Sequence, residues 1–160
     1  MKKVLYLHGL ESKQGGNKVE YLAKTAAVFA PEMDYSNPQL TIFLEMMYQQ
    51  LKPDVVIGSS MGGYAAAYLA SKYPVDAILL NPALHSRSFE PNLNFELNLA
   101  GEDRQVVLCV GYTDEVIDPF ETLKLMVDFP DVKIVRKPHA HRTPLDVFVD
   151  IYDKYQYNEL

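Results

Sequence analysis

The chain has 160 residues, 48% of them hydrophobic and 22% charged, which is typical of a globular domain that buries its own core without metals or disulfides. Its formal net charge of −6 argues against nucleic acid as a partner, because phosphate backbones are bound by basic surfaces. We therefore predict a single domain over residues 1–160, and the composition indicates no particular oligomeric state.

The first apolar run is short and is interrupted by His8 and Gly9, so it predicts neither a signal peptide nor a membrane span. We expect a cytoplasmic protein without membrane insertion. The one cysteine, Cys109, cannot form a disulfide within the chain. Its position in the apolar run QVVLCVG predicts a small, buried side chain.

Apolar runs alternate with amphipathic stretches along the chain. In chain order we predict a strand in KVLYLHG, a helix from about Asn17, a short strand near 28–33, a helix in NPQLTIFLEMMYQQLKP, a strand in DVVIGSS, a helix in MGGYAAAYLASKYP, strands in VDAILLNPA and RQVVLCVG, a helix in DPFETLKLMVDFP, a strand in VKIVRKP and a helix in TPLDVFVDIYDKYQY. Short apolar strands separated by helices predict an α/β fold with a largely parallel sheet covered on both faces. At the last helix, Thr143 is a candidate N-cap and Pro144 is expected at the first helical position.

The stretch GSSMGG lies where a buried strand turns into a helix. Gly58 and Gly62 bracket Ser60, and Gly-x-Ser-x-Gly at such a turn is the nucleophile elbow of α/β-hydrolases. Glycine is expected on both sides because the tight turn leaves no room for side chains. The motif alone could also reflect close packing of helix on strand. As a nucleophile, Ser60 would lie at the N-terminus of the helix, where the Met61 N–H is a candidate oxyanion-hole donor.

A second candidate donor follows the first strand, which ends in LYLHGL. The backbone N–H of Leu10 is the best placed group, and Gly9 would let this loop pass close to the nucleophile. His8 either helps to shape the turn or is an ordinary loop histidine.

Acidic residues follow the strand RQVVLCVG, and histidines follow the strand VKIVRKP. Serine, then acid, then histidine, each beyond the carboxyl end of a strand, is the chain order of the hydrolase triad. For the acid we favour Asp114, which follows Gly111 by three residues. Asp118 is an alternative, although its position before Pro119 is typical of an N-cap, and Glu115 is expected to face solvent.

His139 and His141 are the candidate bases. We favour His141 because it lies farther into the loop and next to the final helix; the other would then be a loop histidine. His85 is a poor candidate because it precedes the acid in the chain. The four histidines lack the spacing of a metal site, so we predict neither a metal nor an organic cofactor.

Together these residues predict a serine hydrolase, in which Ser60 attacks an acyl carbonyl and His141 accepts the hydroxyl proton. The expected partner is a small-molecule acyl ester or thioester. One alternative is a thioesterase or acyltransferase that uses the same triad. The other is a non-catalytic binding protein of the same fold, which is favoured if neither histidine reaches Ser60.

The segments LYLHGLESKQGG, GSSMGGYAAAYLASKYPVDAILLNPALHS and GYTDEVID resemble the small, lidless bacterial α/β-hydrolases of the YqiA-like esterase family (UPF0227). The resemblance implies a three-layer α/β-hydrolase fold with a reduced, mostly parallel sheet of about six strands, no cap domain, and esterase activity on short acyl esters or thioesters. It assigns the nucleophile to Ser60, the acid to Asp114 and the base to His141 or His139. The loop PHAHRT departs from the family pattern, which has one histidine followed by an aromatic residue.

Between VDAILLNPA and RQVVLCVG the chain has only the polar, irregular stretch 84–103, which is too short for a helical cap domain. We therefore expect an open, shallow site that accepts short acyl groups. The apolar residues of this stretch, together with loop 10–16, either form an acyl-binding wall or pack locally beneath the loop; they are Leu84, Phe89, Leu93 and Phe95.

Overall fold

The computed structural model describes residues 1–10 and 12–160. Six strands form one parallel sheet: β1 (Lys3–Leu7), β2 (Ala27–Phe29), β3 (Val55–Ser59), β4 (Asp76–Leu80), β5 (Val106–Gly111) and β6 (Lys133–Lys137). The helices are α1 (Asn17–Leu22), α2 (Leu40–Leu51), α3 (Met61–Lys72), α4 (Pro119–Leu125) and α5 (Leu145–Gln156), with a short 3₁₀ turn at Met126–Asp128. This arrangement confirms the predicted layered α/β fold.

The central strands are short apolar runs because helices cover the sheet on both sides. Side chains that alternate along each strand enter two separate cores. One core contains Leu5, Leu7 and Val56 with residues of α2 and α3, and the other contains Val4, Tyr6 and Ile57 with residues of α1 and α5. The sheet is therefore the middle of three layers.

The strand order is β2-β1-β3-β4-β5-β6. The chain moves from β1 outward to β2, returns to the other side of β1 as β3, and continues in that direction to β6. Ligands of open α/β sheets bind at the carboxyl ends of the strands where the order reverses, here between β1 and β3. Gly9 and Ser60 leave these two strands side by side, since a Cβ atom built on Gly9 would lie 3.5 Å from Cβ of Ser60.

Helix α3 begins directly after Ser60 and is almost completely buried, since every residue from Met61 to Ala70 is buried. Its small side chains allow the helix to lie close against the sheet, where it contacts β1, β3 and β4. The three consecutive alanines 65–67 are fully covered. The N-terminus of α3 is thus held rigidly at the carboxyl edge of the sheet.

Three local predictions are corrected. Strand β2 spans only Ala27–Phe29, and Met33 lies beyond it, where its N–H binds His8. Helix α5 begins at Leu145 rather than Pro144, because Pro144 is extended with ψ of 153°. Thr143 is not its cap but is buried and accepts a hydrogen bond from Asn81.

The long connection between β4 and β5 contains neither helix nor strand over residues 81–105, so no cap domain covers the sheet edge. Within the part of the chain that the structure describes, no helix is long and apolar enough to cross a membrane.

Candidate active site

Ser60 occupies the turn between β3 and α3 in a backbone conformation that L-residues rarely adopt, with φ of 57° and ψ of −116°. Such a residue costs about 1–3 kcal/mol and persists only where its surroundings hold it. Here the Ser60 N–H donates to the Leu80 carbonyl at 3.0 Å, and the Ser60 carbonyl accepts from the Ala83 N–H at 2.9 Å. Hydrogen bonds to the end of β4 therefore keep the strained turn in place.

The two glycines of the motif are required by close backbone contacts. A Cβ atom at Gly58 would collide with the carbonyl of Gly62, and one at Gly62 would collide with the carbonyl of Leu7. The turn can pass between β1 and α3 only because both side chains are absent.

A continuous chain of hydrogen bonds joins three of the predicted site residues. Oγ of Ser60 lies 2.8 Å from Nε2 of His141, and Nδ1 of His141 lies 2.9 Å from Oδ2 of Asp114. Since a carboxylate only accepts, Nδ1 carries the proton and donates to Asp114, which leaves Nε2 to accept from the Ser60 hydroxyl. This is the tautomer that a general base requires.

Asp114 is fixed on its other side as well. Its side chain is 1% exposed, and Oδ1 accepts from the N–H groups of Val116 and Ile117 at 2.9 Å each. The alternative acids lie elsewhere: Asp118 caps α4 by accepting from the Phe120 N–H, and Glu115 is exposed. Among the acidic residues that the structure describes, Asp114 is the one that binds the imidazole, through Oδ2.

The other histidines are engaged away from Ser60. His139 is buried; its Nδ1 donates to the Ala140 carbonyl at 2.7 Å, and its Nε2 lies 3.6 Å from Sγ of Cys109. Burial raises the pKa of the Cys109 thiol to about 12, so this cysteine is a neutral core residue and not a nucleophile. His85 is bound to the Asp118 carbonyl at the surface.

The candidate oxyanion donors, Leu10 and Met61, line the same cavity as Ser60 and His141. Met61 is the first residue of α3, so its N–H has no acceptor within the helix. His8 is buried behind Leu10: its Nδ1–H donates to the Gly9 carbonyl at 2.8 Å and its Nε2 accepts from the Met33 N–H at 2.9 Å. His8 therefore fixes the path of the loop that carries the Leu10 N–H.

The cavity over Ser60 has a volume of about 370 Å³ and is open to solvent. Its apolar lining includes Val116 and Ile117, and the β4–β5 connection contributes the short stretch 86–88. Of the candidates for an acyl-binding wall, Leu10 and Ser12 of loop 10–16 line the cavity. The four apolar residues of stretch 84–103 do not: Leu93 is in the core, Leu84 and Phe95 pack against that core, and Phe89 lies exposed on the surface. Of the predicted loop 10–16, residue 11 lies outside the described residues.

Asn81 is a site residue that sequence reasoning missed. Its Nδ2 donates to the His141 carbonyl at 2.7 Å and to Oγ1 of Thr143 at 3.2 Å, and its Oδ1 accepts from the Gly111 N–H at 2.8 Å. It is buried and has a positive φ of 40°, a conformation that asparagine tolerates better than most residues. Asn81 thus ties the histidine loop to the end of β5; the only signal was a polar residue directly after a buried strand.

Comparison with known proteins adds a family and a fold. The model of the uncharacterised protein family UPF0227 matches residues 3–118. Est1E from Butyrivibrio proteoclasticus superposes with a TM-score of 0.75 at 13% identity, over 99% of this chain and 88% of that one. An esterase from Pyrococcus furiosus, Pf2001, gives 0.69 at 15% identity, over 99% and 82%. A carboxylesterase from Bacillus cereus gives 0.63 at 22% identity, over 98% and 88%. At these identities the likeness establishes the α/β-hydrolase fold.

Replacing Asn81 with alanine should destabilise the fold, because the His141 carbonyl, the Thr143 hydroxyl and the Gly111 N–H all lose a hydrogen-bond partner. We expect Asn81→Ala to lower the free energy of unfolding by about 2–4 kcal/mol in urea denaturation. The matched control is Asn158→Ala, which changes an exposed asparagine that also has a positive φ, of 56°, and whose Oδ1 accepts one exposed hydrogen bond from Gln105; it should cost about 1 kcal/mol. Equal losses in the two variants would mean that backbone conformation, and not the hydrogen bonds, explains Asn81.

Proposed function

The chain belongs to the uncharacterised protein family UPF0227, and from that premise and the site geometry we propose that it is a serine carboxylesterase that cleaves short-chain acyl esters. The observation that carries the proposal is the hydrogen-bond chain from Ser60 through His141 to Asp114, with lengths of 2.8 and 2.9 Å. A non-catalytic binding protein would not need a strained serine within hydrogen-bond distance of an imidazole. The proposed partner is a small-molecule ester.

In the first half of the reaction, Oγ of Ser60 attacks the ester carbonyl carbon while its proton passes to Nε2 of His141. The imidazolium that forms is stabilised by the carboxylate of Asp114, which the N–H groups of Val116 and Ile117 hold in place. The tetrahedral intermediate collapses when the carbon–oxygen bond to the alcohol breaks, and His141 returns the proton to the departing alcohol oxygen. The acyl group is then held on Ser60.

In the second half, a water molecule attacks the acyl carbonyl while His141 accepts one of its protons. The bond between the acyl carbon and Oγ then breaks, His141 returns the proton to Oγ of Ser60, and the carboxylic acid leaves. The oxyanion of each tetrahedral intermediate would be bound by the N–H groups of Leu10 and Met61. Loss of one such donor typically costs about 10²–10³ in rate, so the rate depends on the path of the loop that His8 fixes.

The proposed preference for short acyl groups follows from the form of the cavity. Its volume of about 370 Å³ suits a small acyl group, and Val116 and Ile117 offer a limited apolar surface for it. Val116 is 65% exposed, so the apolar wall ends at the surface instead of continuing as a tunnel for a long chain.

A fluorophosphonate probe tests the nucleophile and the base together, because it reacts only with an activated serine. We expect wild-type protein and Ser59→Ala to be labelled and Ser60→Ala not to be. Labelling should fall at least about 10²-fold in His141→Ala, because the hydroxyl loses its base. His139→Ala should be labelled like wild type if it stays folded, which circular dichroism would check. Labelling that depended on His139 instead would overturn the assignment of the base.

The role of Asp114 is tested by Asp114→Asn, which preserves shape but removes the charge and the acceptor that select the histidine tautomer. We expect kcat on 4-nitrophenyl butyrate to fall by about 10²–10⁴. The control is Asp118→Asn, since asparagine also caps helices well and should preserve both kcat and stability. If both variants kept wild-type kcat, Asp114 would have no part in the reaction.

A further inference from the structure

A second cavity, of about 570 Å³, adjoins the cavity over Ser60, and Gly9, Ser12 and Arg142 line both of them. It lies between residues 12–18, which run into the first turn of α1, and residues 142–145 at the start of α5. Because the two cavities share a boundary, one molecule bound at Ser60 can extend into both.

The second cavity is basic in an otherwise acidic protein. Lys13, Lys18 and Arg142 line it, and its described lining residues include no carboxylate, whereas the whole chain has a net charge of −6. The cavity over Ser60 shares Arg142 with it, but its other described cation, Arg87, pairs with Glu90 at 2.9 Å and also donates to backbone carbonyls. As far as the described residues extend, the cations without a carboxylate partner are therefore concentrated in the second cavity, with Arg142 at its boundary to the first.

Lys18 and Arg142 lie close enough to influence each other. Lys18 is half-buried, and its burial together with the charge of Arg142 lowers the pKa of its ammonium group. Among residues 1–10 and 12–160, neither side chain has a carboxylate within 4.0 Å. Two like charges that repel each other are unfavourable in the empty protein, and a bound anion would remove that cost. The side chains of Ser12, Gln14 and Asn17 add hydrogen-bond donors around the same space.

We propose that this second cavity binds an anionic group of the substrate, a carboxylate or a phosphate, through Lys18 and Arg142. The inference rests on the proposed function and narrows its substrate class: the ester carries a negative charge on the part that extends past Gly9. Charge-assisted hydrogen bonds to Lys and Arg favour carboxylate and phosphate oxygens in particular, because arginine can bind two oxygens at once.

The test compares pairs of esters in which one member carries an additional anionic group, at low ionic strength so that screening is weak. One pair carries the charge on the acyl side: 4-nitrophenyl hexanoate and mono-4-nitrophenyl adipate. The other carries it on the alcohol: 1-butyrylglycerol and 1-butyrylglycerol 3-phosphate. In at least one pair we expect wild-type kcat/KM to be about 10–100-fold higher for the anionic ester, mainly through a lower KM.

In Lys18→Met and in Arg142→Gln this preference for the anionic ester should fall about 10-fold. The control is Lys24→Met, which removes an exposed lysine just beyond α1 and outside the cavity and should keep the preference. Equal kcat/KM for both members of both pairs in wild-type protein would overturn the proposal.

A binding measurement separates this proposal from the esterase activity on which it rests. By calorimetry, inorganic phosphate or adipate should bind the wild-type protein, and its affinity for the variant Lys18→Met should be at least about 10-fold lower. If no ester is hydrolysed but this difference in binding is found, the anion site stands and the hydrolase function fails. If neither anion binds wild-type protein and no anionic ester is preferred, the anion site itself is refuted.

Discussion

The site depends on one strained residue, Ser60, held at the turn from β3 into α3. The turn is possible because Gly58 and Gly62 leave room for the neighbouring backbone, and it is kept in place by hydrogen bonds from Ser60 to the end of β4. The unfavourable free energy of the positive φ is offset by the packing of α3, which is almost fully buried against the sheet. A rigid elbow of this kind presents the hydroxyl in one orientation, so the other groups need only to be placed around it.

The parallel sheet places these other groups around Ser60. Residues that follow β1, β3, β5 and β6 share one edge, which is why Leu10, Ser60, Asp114 and His141 meet although they are distant in the sequence. Asn81, after β4, completes the set by connecting the histidine loop to β5. The ends of β1, β3, β4, β5 and β6 thus all contribute to the site, which lies where the strand order reverses between β1 and β3.

Much of this was predictable from sequence, because apolar runs of strand length separated by helices specify a parallel sheet, and the glycine frame selects Ser60 over Ser59. The choice of the base between His139 and His141 was harder, since both lie in one short loop. The structure distinguishes them because the His139 ring lies against Cys109, whereas the His141 ring lies against Ser60. The role of Asn81 was not readable because it depends on partners from distant segments. The apolar character of Leu93 and Phe95 did not predict whether their side chains face the cavity or the core. In the structure Leu93 lies in the core and Phe95 packs against it.

In the proposed reaction Ser60 carries the acyl group during turnover, and rapid-quench mass spectrometry with 4-nitrophenyl butyrate detects that intermediate directly. We expect a mass gain of one butyryl group, located on the peptide that contains Ser60, which appears within the first turnover and disappears as the ester is exhausted. Turnover of the ester without an adduct, or with an adduct only on another residue, would contradict it.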